Sequence, residues 1–279
     1  MMQFTVDQEK CVACGECARD CQFGVIVMTK NGPMVPPENE TLCIGCQHCM
    51  TVCKERALSV LGADPAKLPP MKGLFPSPES MLALIHGRRS VRRYKKKAVD
   101  AKTLDVLMDA ISQAPTGVNR RNGGFTIVAD PAVMEDFRQA ARERMAKIFR
   151  DGAFPGEMEF YRPFFEGFAN GADPIFRDAP HMIIPTYHKD NLSGPIDSII
   201  ALSYFELLAQ SMGLGTLWCG LGRITLARFA PDLCGALGIP EDQRVGYLML
   251  FGHPAVKYHN GVLRERARMN VPAALTPRD

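Results

Sequence analysis

Eight of the ten cysteines fall into two copies of Cys-x2-Cys-x2-Cys-x3-Cys: Cys11, Cys14, Cys17 and Cys21, then Cys43, Cys46, Cys49 and Cys53. Each cysteine of the second run lies 32 residues after its counterpart in the first. Three thiolates separated by two residues can hold three corners of a [4Fe–4S] cube from one tight loop. The fourth corner needs a ligand from elsewhere, and in the two-cluster pattern the fourth cysteine of each run serves the other cluster. The spacing therefore predicts Cys11, Cys14, Cys17 and Cys53 around one cluster, and Cys43, Cys46, Cys49 and Cys21 around the other. Such a pair conducts electrons, so the rest of the chain must contain something that uses them.

Two other chemistries use clustered cysteines. Structural zinc takes two separated Cys-x2-Cys pairs around one ion, which fits runs of three plus one less well. A disulfide framework belongs to small secreted domains. The start, Met-Met-Gln-Phe-Thr-Val-Asp, has neither a basic n-region nor an apolar h-region. The cysteine usage thus predicts two [4Fe–4S] clusters in a reducing, cytoplasmic setting. The pattern resembles a bacterial-type ferredoxin, with Gln22 and Lys54 where proline often follows the fourth cysteine.

Residues 86–97 read His-Gly-Arg-Arg-Ser-Val-Arg-Arg-Tyr-Lys-Lys-Lys, seven basic side chains in twelve. By residue type they suit a solvated charge run, a nucleic-acid face or a phosphate clamp. Arginine pairs bidentately with phosphate oxygens, and an interposed serine adds a hydroxyl donor.

Four segments follow one another in order: Arg88-Arg89-Ser90-Val91-Arg92, Pro115-Thr116-Gly117-Val118-Asn119, Gly213-Leu214-Gly215-Thr216-Leu217-Trp218, and Phe251-Gly252-His253-Pro254. Their order and residue types resemble the nitroreductase family of flavoenzymes. The resemblance implies an α+β fold and a homodimer with FMN at its helical interface. It also implies that Arg88, Arg89, Ser90 and Arg92 hold the FMN phosphate and ribityl chain, with Arg264 and Arg266 closing from the C-terminal side. Pro115, Thr116, Gly117 and Asn119 would approach the flavin ring from the partner subunit. Trp218, Cys219, Gly220 and Leu221 would lie along the N5 side, where a backbone N–H can tune the flavin. The chain departs from the family at Arg120 and Arg121, which add two positive charges beside the site. It departs again at Gly220, which stands where a glutamate is common.

Positioning these groups takes two units. Residues 1–61 form the ferredoxin-like unit, and the apolar stretches Gly24–Val27 and Ala57–Val60 recur at equivalent places in its two halves. Residues 62–78, with five prolines and two glycines, read as a semi-extended linker without regular structure. Residues 79–279 read as mixed α and β. Asp100 caps a helix carrying Leu104, Leu107, Met108 and Ile111 on one face. Residues 132–150 form an amphipathic helix, and 196–212 a helix apolar on nearly every face, ended by Gly213 and Gly215. Gly124–Ala129, His181–Tyr187, Thr216–Gly220 and Val245–Phe251 read as strands. The first unit carries five Lys/Arg against seven Asp/Glu; the whole chain's net charge of +3 is too small to imply nucleic acid. No apolar run reaches the ~18 residues of a membrane span.

Three further features sit outside these segments. Phe160, Tyr161, Phe164, Phe165, Phe168 and Phe176 suit either a substrate-pocket cover or core packing. Cys219 and Cys234 remain after the cluster ligands, as buried small hydrophobes or, for Cys219, a redox thiol. His48 lies among the cluster cysteines and can tune a potential. Together the features predict an iron–sulfur flavoprotein oxidoreductase. Electrons pass from the clusters to FMN and on to a small organic acceptor: a nitroaromatic, a quinone or a conjugated alkene. NAD(P)H or an external ferredoxin would be the donor. The alternative is a non-enzymatic electron-transfer or redox-sensing subunit.

Overall fold

The computed structural model describes residues 2–271, so residues 272–279 of the second unit lie outside the described residues. The ferredoxin-like unit runs β1 (Phe4–Val6), α1 (Glu16–Arg19), β2 (Val27–Thr29), β3 (Gly32–Met34), α2 (His48–Thr51) and β4 (Leu58–Val60). Its first and last strands pair antiparallel, Phe4 opposite Val60, and close the unit. The two helices show the sequence duplication directly. Each is preceded by a residue in the left-handed region, Gly15 (φ 78) and Gln47 (φ 60), and each carries the third cysteine of its run. Cys17, Ile26, Met50, Leu58 and Val60 form the small core.

Linker residues 62–78 contain one short regular piece, a 3-10 turn at Pro65–Lys67 capped by Asp64, where composition predicted none. Proline at the first position fits such a turn because its missing N–H has no partner there. Arg56 donates to the carbonyls of Ala66 and Leu68, tying the start of the linker to the first unit.

The second unit is α+β. It opens with α3 (Pro78–Gly87) and α4 (Ala101–Ser112). Asp100 caps α4 by accepting from Thr103 N at 2.9 Å. β5 (Gly124–Val128), α5 (Pro131–Arg150), α6 (Arg162–Ala169), β6 (His181–His188) and α7 (Gly194–Ser211) follow. The chain continues through β7 (Gly215–Trp218), α8 (Gly220–Ile224), α9 (Asp232–Ala236), β8 (Gln243–Val245) and β9 (Met249–Gly252). The sheet order is β5-β6-β9-β7, with β8 also on β6. The single strand expected over Val245–Phe251 is broken in two. Gly246 N turns to Pro185 O (2.9 Å), and a side chain at Gly246 would run into Ser198 of α7.

Strand alternation divides the core. Ile183, Met249 and Phe251 face α4 and α7, packing on Leu107, Leu202 and Phe205. Met182, Ile184 and Leu250 face the other way, onto α5 and α6. Phe165, Phe168 and Phe176 are fully buried in that second layer, so half of the aromatic segment is core; Phe160 is 82% exposed. Helix α7 buries Ala201, Leu202, Phe205 and Ala209 but leaves Ile196, Ile199 and Tyr204 exposed. Met81, Leu82 and Ile85 of α3 are also exposed, so each of the two helices leaves apolar side chains unpartnered in a single chain. Among the described residues no helix is long and apolar enough to cross a membrane.

Candidate functional site

Cys11, Cys14, Cys17 and Cys53 line one cavity of ≈ 350 Å³, and Cys21, Cys43, Cys46 and Cys49 line another of ≈ 470 Å³. The structure thus brings together three cysteines of one run with the fourth of the other, in the two sets expected from the spacing. Four thiols line each cavity, the donor set that a [4Fe–4S] cube takes. Burial pushes the Cys49 thiol up to about 11, and its neighbours Cys46, Cys21 and Cys43 push the same way. Cys17 is raised for the same reason, with Cys14 and Cys53 contributing. Crowded thiols of this kind lose their protons to a bound cation, whose charge inverts the local preference. Ala57 N donates to Cys53 Sγ at 3.3 Å, and His48 sets Nδ1 3.3 Å from Asp20 across the two runs.

The second cavity is not closed by the ferredoxin-like unit alone. Gln113, Pro115, Thr116, Val118, Asn119 and Arg121 complete its wall. Asn119 Nδ2 donates to Ile44 O at 2.8 Å, one residue from Cys43. This loop is strained: Val118 (φ 46), Asn119 (φ 52) and Arg121 (φ 48) all occupy the left-handed region without being glycine. Each such residue costs about 1–3 kcal/mol and persists only where its surroundings over-determine it. Here Gly117 N donates to Asp197 Oδ1 at 3.0 Å, Arg121 N to Thr116 Oγ1 at 3.2 Å, and the Arg121 guanidinium to Ser112 O. Gly117 is required, because a Cβ there would overlap Ser193 Oγ.

The arginine segment lies elsewhere. It follows α3 and pairs with the edge of the sheet, Ser90 opposite Thr216, with Val91 N donating to Thr216 O at 2.9 Å. Gly215 permits this approach, since a Cβ would meet Val91 Cγ2 at 2.5 Å. Arg88 has a carboxylate partner. Its Nη1 pairs with Glu206 Oε1 at 3.2 Å, and Glu206 also accepts from Thr216 Oγ1 (3.1 Å) and Trp218 Nε1 (3.0 Å). Arg88 therefore braces α7 against the sheet edge. Among the described residues Arg89 and Arg92 have no carboxylate partner, although Arg89 donates to the carbonyls of Arg88 and His86. Arg264 and Arg266 are exposed and follow a stretch that touches this segment: Tyr258 Oη donates to Ser90 O at 3.4 Å and Gly261 lies beside Arg89.

Cys219 is packed as a buried small side chain. Its thiol points inward, donating to Ile175 O and accepting from Gly222 N, both at 3.3 Å. Burial pushes it up to about 12, and its backbone is engaged as well: its N–H donates to Leu248 O at 2.9 Å and its carbonyl accepts from Arg223 N at 3.0 Å. Trp218 packs edge-on to Tyr247, and Gly220 and Leu221 begin α8. Glu206 was not singled out from the sequence. The available signal was its company: Asp197 and Glu206 are the only charged residues of α7. A charge inside an otherwise apolar helix needs a partner.

These two acids anchor the two halves of the site at different places. Asp197 holds the Pro115–Arg121 loop and Glu206 holds the arginine segment, nine residues or about 14 Å apart along the helix. The sheet gives a second measure. Ser90 sits beyond β7 at the level of His181, whereas Gly124, three residues past Arg121, opens the opposite edge strand β5 and pairs with Thr186. That is four strand spacings, about 19 Å, across the sheet and five residues, about 17 Å, along it.

Residues 85–253 match the nitroreductase family, and residues 10–58 match a 4Fe-4S dicluster domain. The chain is 26% identical over 112 residues to iodotyrosine deiodinase from Haliscomenobacter hydrossis, a match spanning 35% of this chain and 50% of that protein. This chain thus covers about half the length of that relative. It is 27% identical over 184 residues to NADH dehydrogenase from Thermus thermophilus, 60% of this chain and 83% of that protein. A crystal structure of a nitroreductase with bound FMN from Bacteroides fragilis shares the fold (TM-score 0.55, 22% identity, 71% of this chain and 98% of the other).

Proposed function

The chain belongs to the nitroreductase family and carries a 4Fe-4S dicluster domain ahead of it, and we propose that it is an FMN-dependent oxidoreductase fed by its own iron–sulfur module. One observation carries the reading. The thiol-lined cavity of Cys21, Cys43, Cys46 and Cys49 shares its wall with the Pro115–Arg121 loop of the family domain. A cluster there has its exit beside a loop held in a strained, fixed shape.

Cys11, Cys14, Cys17 and Cys53 would hold the outer cluster, and Cys21, Cys43, Cys46 and Cys49 the inner one. Arg89, Ser90 and Arg92 would hold the FMN phosphate, their uncompensated charge set against a dianion. Bound FMN stores two electrons and delivers them together to an acceptor. The chain's own residues bind, orient and shield: Glu206 fixes the sheet edge under Arg88 and Trp218, and Asp197 fixes the loop. No strong protein acid is needed if water supplies protons. The acceptor is a small organic molecule such as a nitroaromatic, quinone or conjugated alkene, the donor is NAD(P)H or a ferredoxin, and the working unit is a homodimer closed over the exposed faces of α3 and α7.

The test is iron, zinc and flavin content of protein purified without oxygen, followed by acceptor screening. About eight irons and one FMN per chain, with turnover of one acceptor class, support the reading. Iron without flavin would leave an electron carrier, and zinc with neither would end it.

A further inference from the structure

We propose that the iron–sulfur module of one chain reduces the flavin clamped by a second copy. The inference rests on the proposed function and adds the route electrons take through the assembly.

Within one chain the inner thiol cavity is built against the Pro115–Arg121 loop, with Asn119 bonded to Ile44 O. The phosphate-binding candidates Arg89 and Arg92 are not near that loop. Ser90, between them, lies beyond β7 and toward the other end of α7, four strand spacings across and five residues along from Gly124, where the chain leaving the loop enters β5. The diagonal of those offsets is about 25 Å in a flat sheet, longer than one flavin mononucleotide. A flavin whose phosphate sits at Arg89 therefore cannot place its ring on the loop of the same chain. The loop still has an exposed tip, since Val118 is 53% exposed. Exposed apolar side chains on α3 and α7 leave room for a second copy to bring its own clamp to that tip. A two-fold pairing supplies this twice, each chain offering its loop to the other's flavin.

The electron balance needs an external donor of the reduced-ferredoxin class. Two such molecules are each oxidised by one electron through the clusters, and two protons from water complete the reduction of one flavin. A two-residue path, Cys43 to Ile44 to Asn119, joins the inner cluster's ligand loop to the loop facing the partner.

The test uses full-length heterodimers made by co-expression with two affinity tags. In the first, one chain carries Cys46→Ala and the other carries Arg89→Ala, so clusters and flavin clamp are intact only on different chains. In the second, one chain carries both substitutions and the other none. Flavin bleaching by reduced ferredoxin is followed in a single turnover, with iron and flavin content measured on each sample. Transfer between subunits predicts about half the wild-type amplitude for the split heterodimer, one site of two, and a loss of bleaching for the joined one. The opposite pattern, bleaching in the joined and not in the split heterodimer, overturns the proposal while leaving the proposed function intact. Arg89→Ala homodimers that keep full flavin would instead remove the clamp assignment on which both rest.

Discussion

Glu206→Leu is expected to destabilise the second unit by about 3 kcal/mol, an amount that follows from what Glu206 holds. Thr216 is 1% exposed, and its hydroxyl loses a 3.1 Å acceptor; the Trp218 indole N–H loses one at 3.0 Å. Each donor left without an acceptor costs about 1–2 kcal/mol. Arg88 keeps 28% of its side-chain exposure and recovers water, so breaking its pair adds about 1 kcal/mol or less. The leucine's apolar burial offsets part of the sum. For a domain of this size, about 3 kcal/mol lowers Tm by about 6–12 °C. Trp218, the chain's only tryptophan, makes its own fluorescence the local probe of unfolding. A double-mutant cycle with Arg88→Met separates the ion pair from the two neutral donors. A Tm change within about 2 °C would refute the view that Glu206 is a structural node, as would a cycle that assigns nearly all of the loss to Arg88.

Cys53→Ala is expected to disrupt the cluster whose other ligands are in the first run; electron paramagnetic resonance showing selective loss of the second would overturn the pairing read from the two cavities. Arg89→Ala should lower flavin retention with iron content unchanged, checked by metal analysis and released-flavin fluorescence, since the arginine segment and the thiol cavities share no wall. His181 accepts from Val99 N at 2.9 Å, and burial holds its pKa below the ordinary value. The unfolded chain therefore takes the proton first, near the model-peptide value of about 6.5. Its contribution to stability is complete above that value and declines as pH falls through it. Denaturant titrations at pH 7 and pH 5 should show a smaller difference for His181→Phe than for the wild type, alongside a fixed loss of about 1–3 kcal/mol for the unmet Val99 N–H.

The grouping of the cysteines into two sets of four was legible because their spacing encodes it: two runs of the same shape can bring the fourth cysteine of each beside the other only if the chain folds back, and the Phe4–Val60 pairing does that. Helix α4 was legible from its cap and periodicity, since Asp100 accepts from Thr103 N; α5 was legible from its amphipathic run, and α7 from an apolar run closed by Gly213. The break between β8 and β9 was not, because it depends on Gly246 meeting α7 and Pro185, a contact between distant segments. The side-chain partners of Arg88 and Cys219 were not legible for a related reason. A motif fixes where the backbone runs, but neighbours decide where a side chain turns. Glu206 claimed the Arg88 guanidinium, and Ile175 with Gly222 claimed the Cys219 thiol. The aromatic segment was ambiguous in sequence because core and surface phenylalanines look alike until α6 packs on α5.

Among the described residues few polar contacts join the two units. Among the described residues Asn119–Ile44 is the hydrogen bond that crosses between them, a bond of about 0.5–1.5 kcal/mol. A free module docking through so little would not stay. The linker changes the arithmetic, because tethering sets a local concentration that can reach the millimolar range. Prolines and the Arg56 strap on Ala66 and Leu68 further narrow where the module can go. A weak bond then suffices to choose one orientation among few. Weakness here is compatible with function: the inner cavity needs its wall held in register with a strained loop, and a tether plus one directional bond does that without a large dry interface. The strain at Val118, Asn119 and Arg121 belongs to the same design, since a loop locked by Asp197 and Thr116 presents Asn119 to Ile44 without having to order itself on contact.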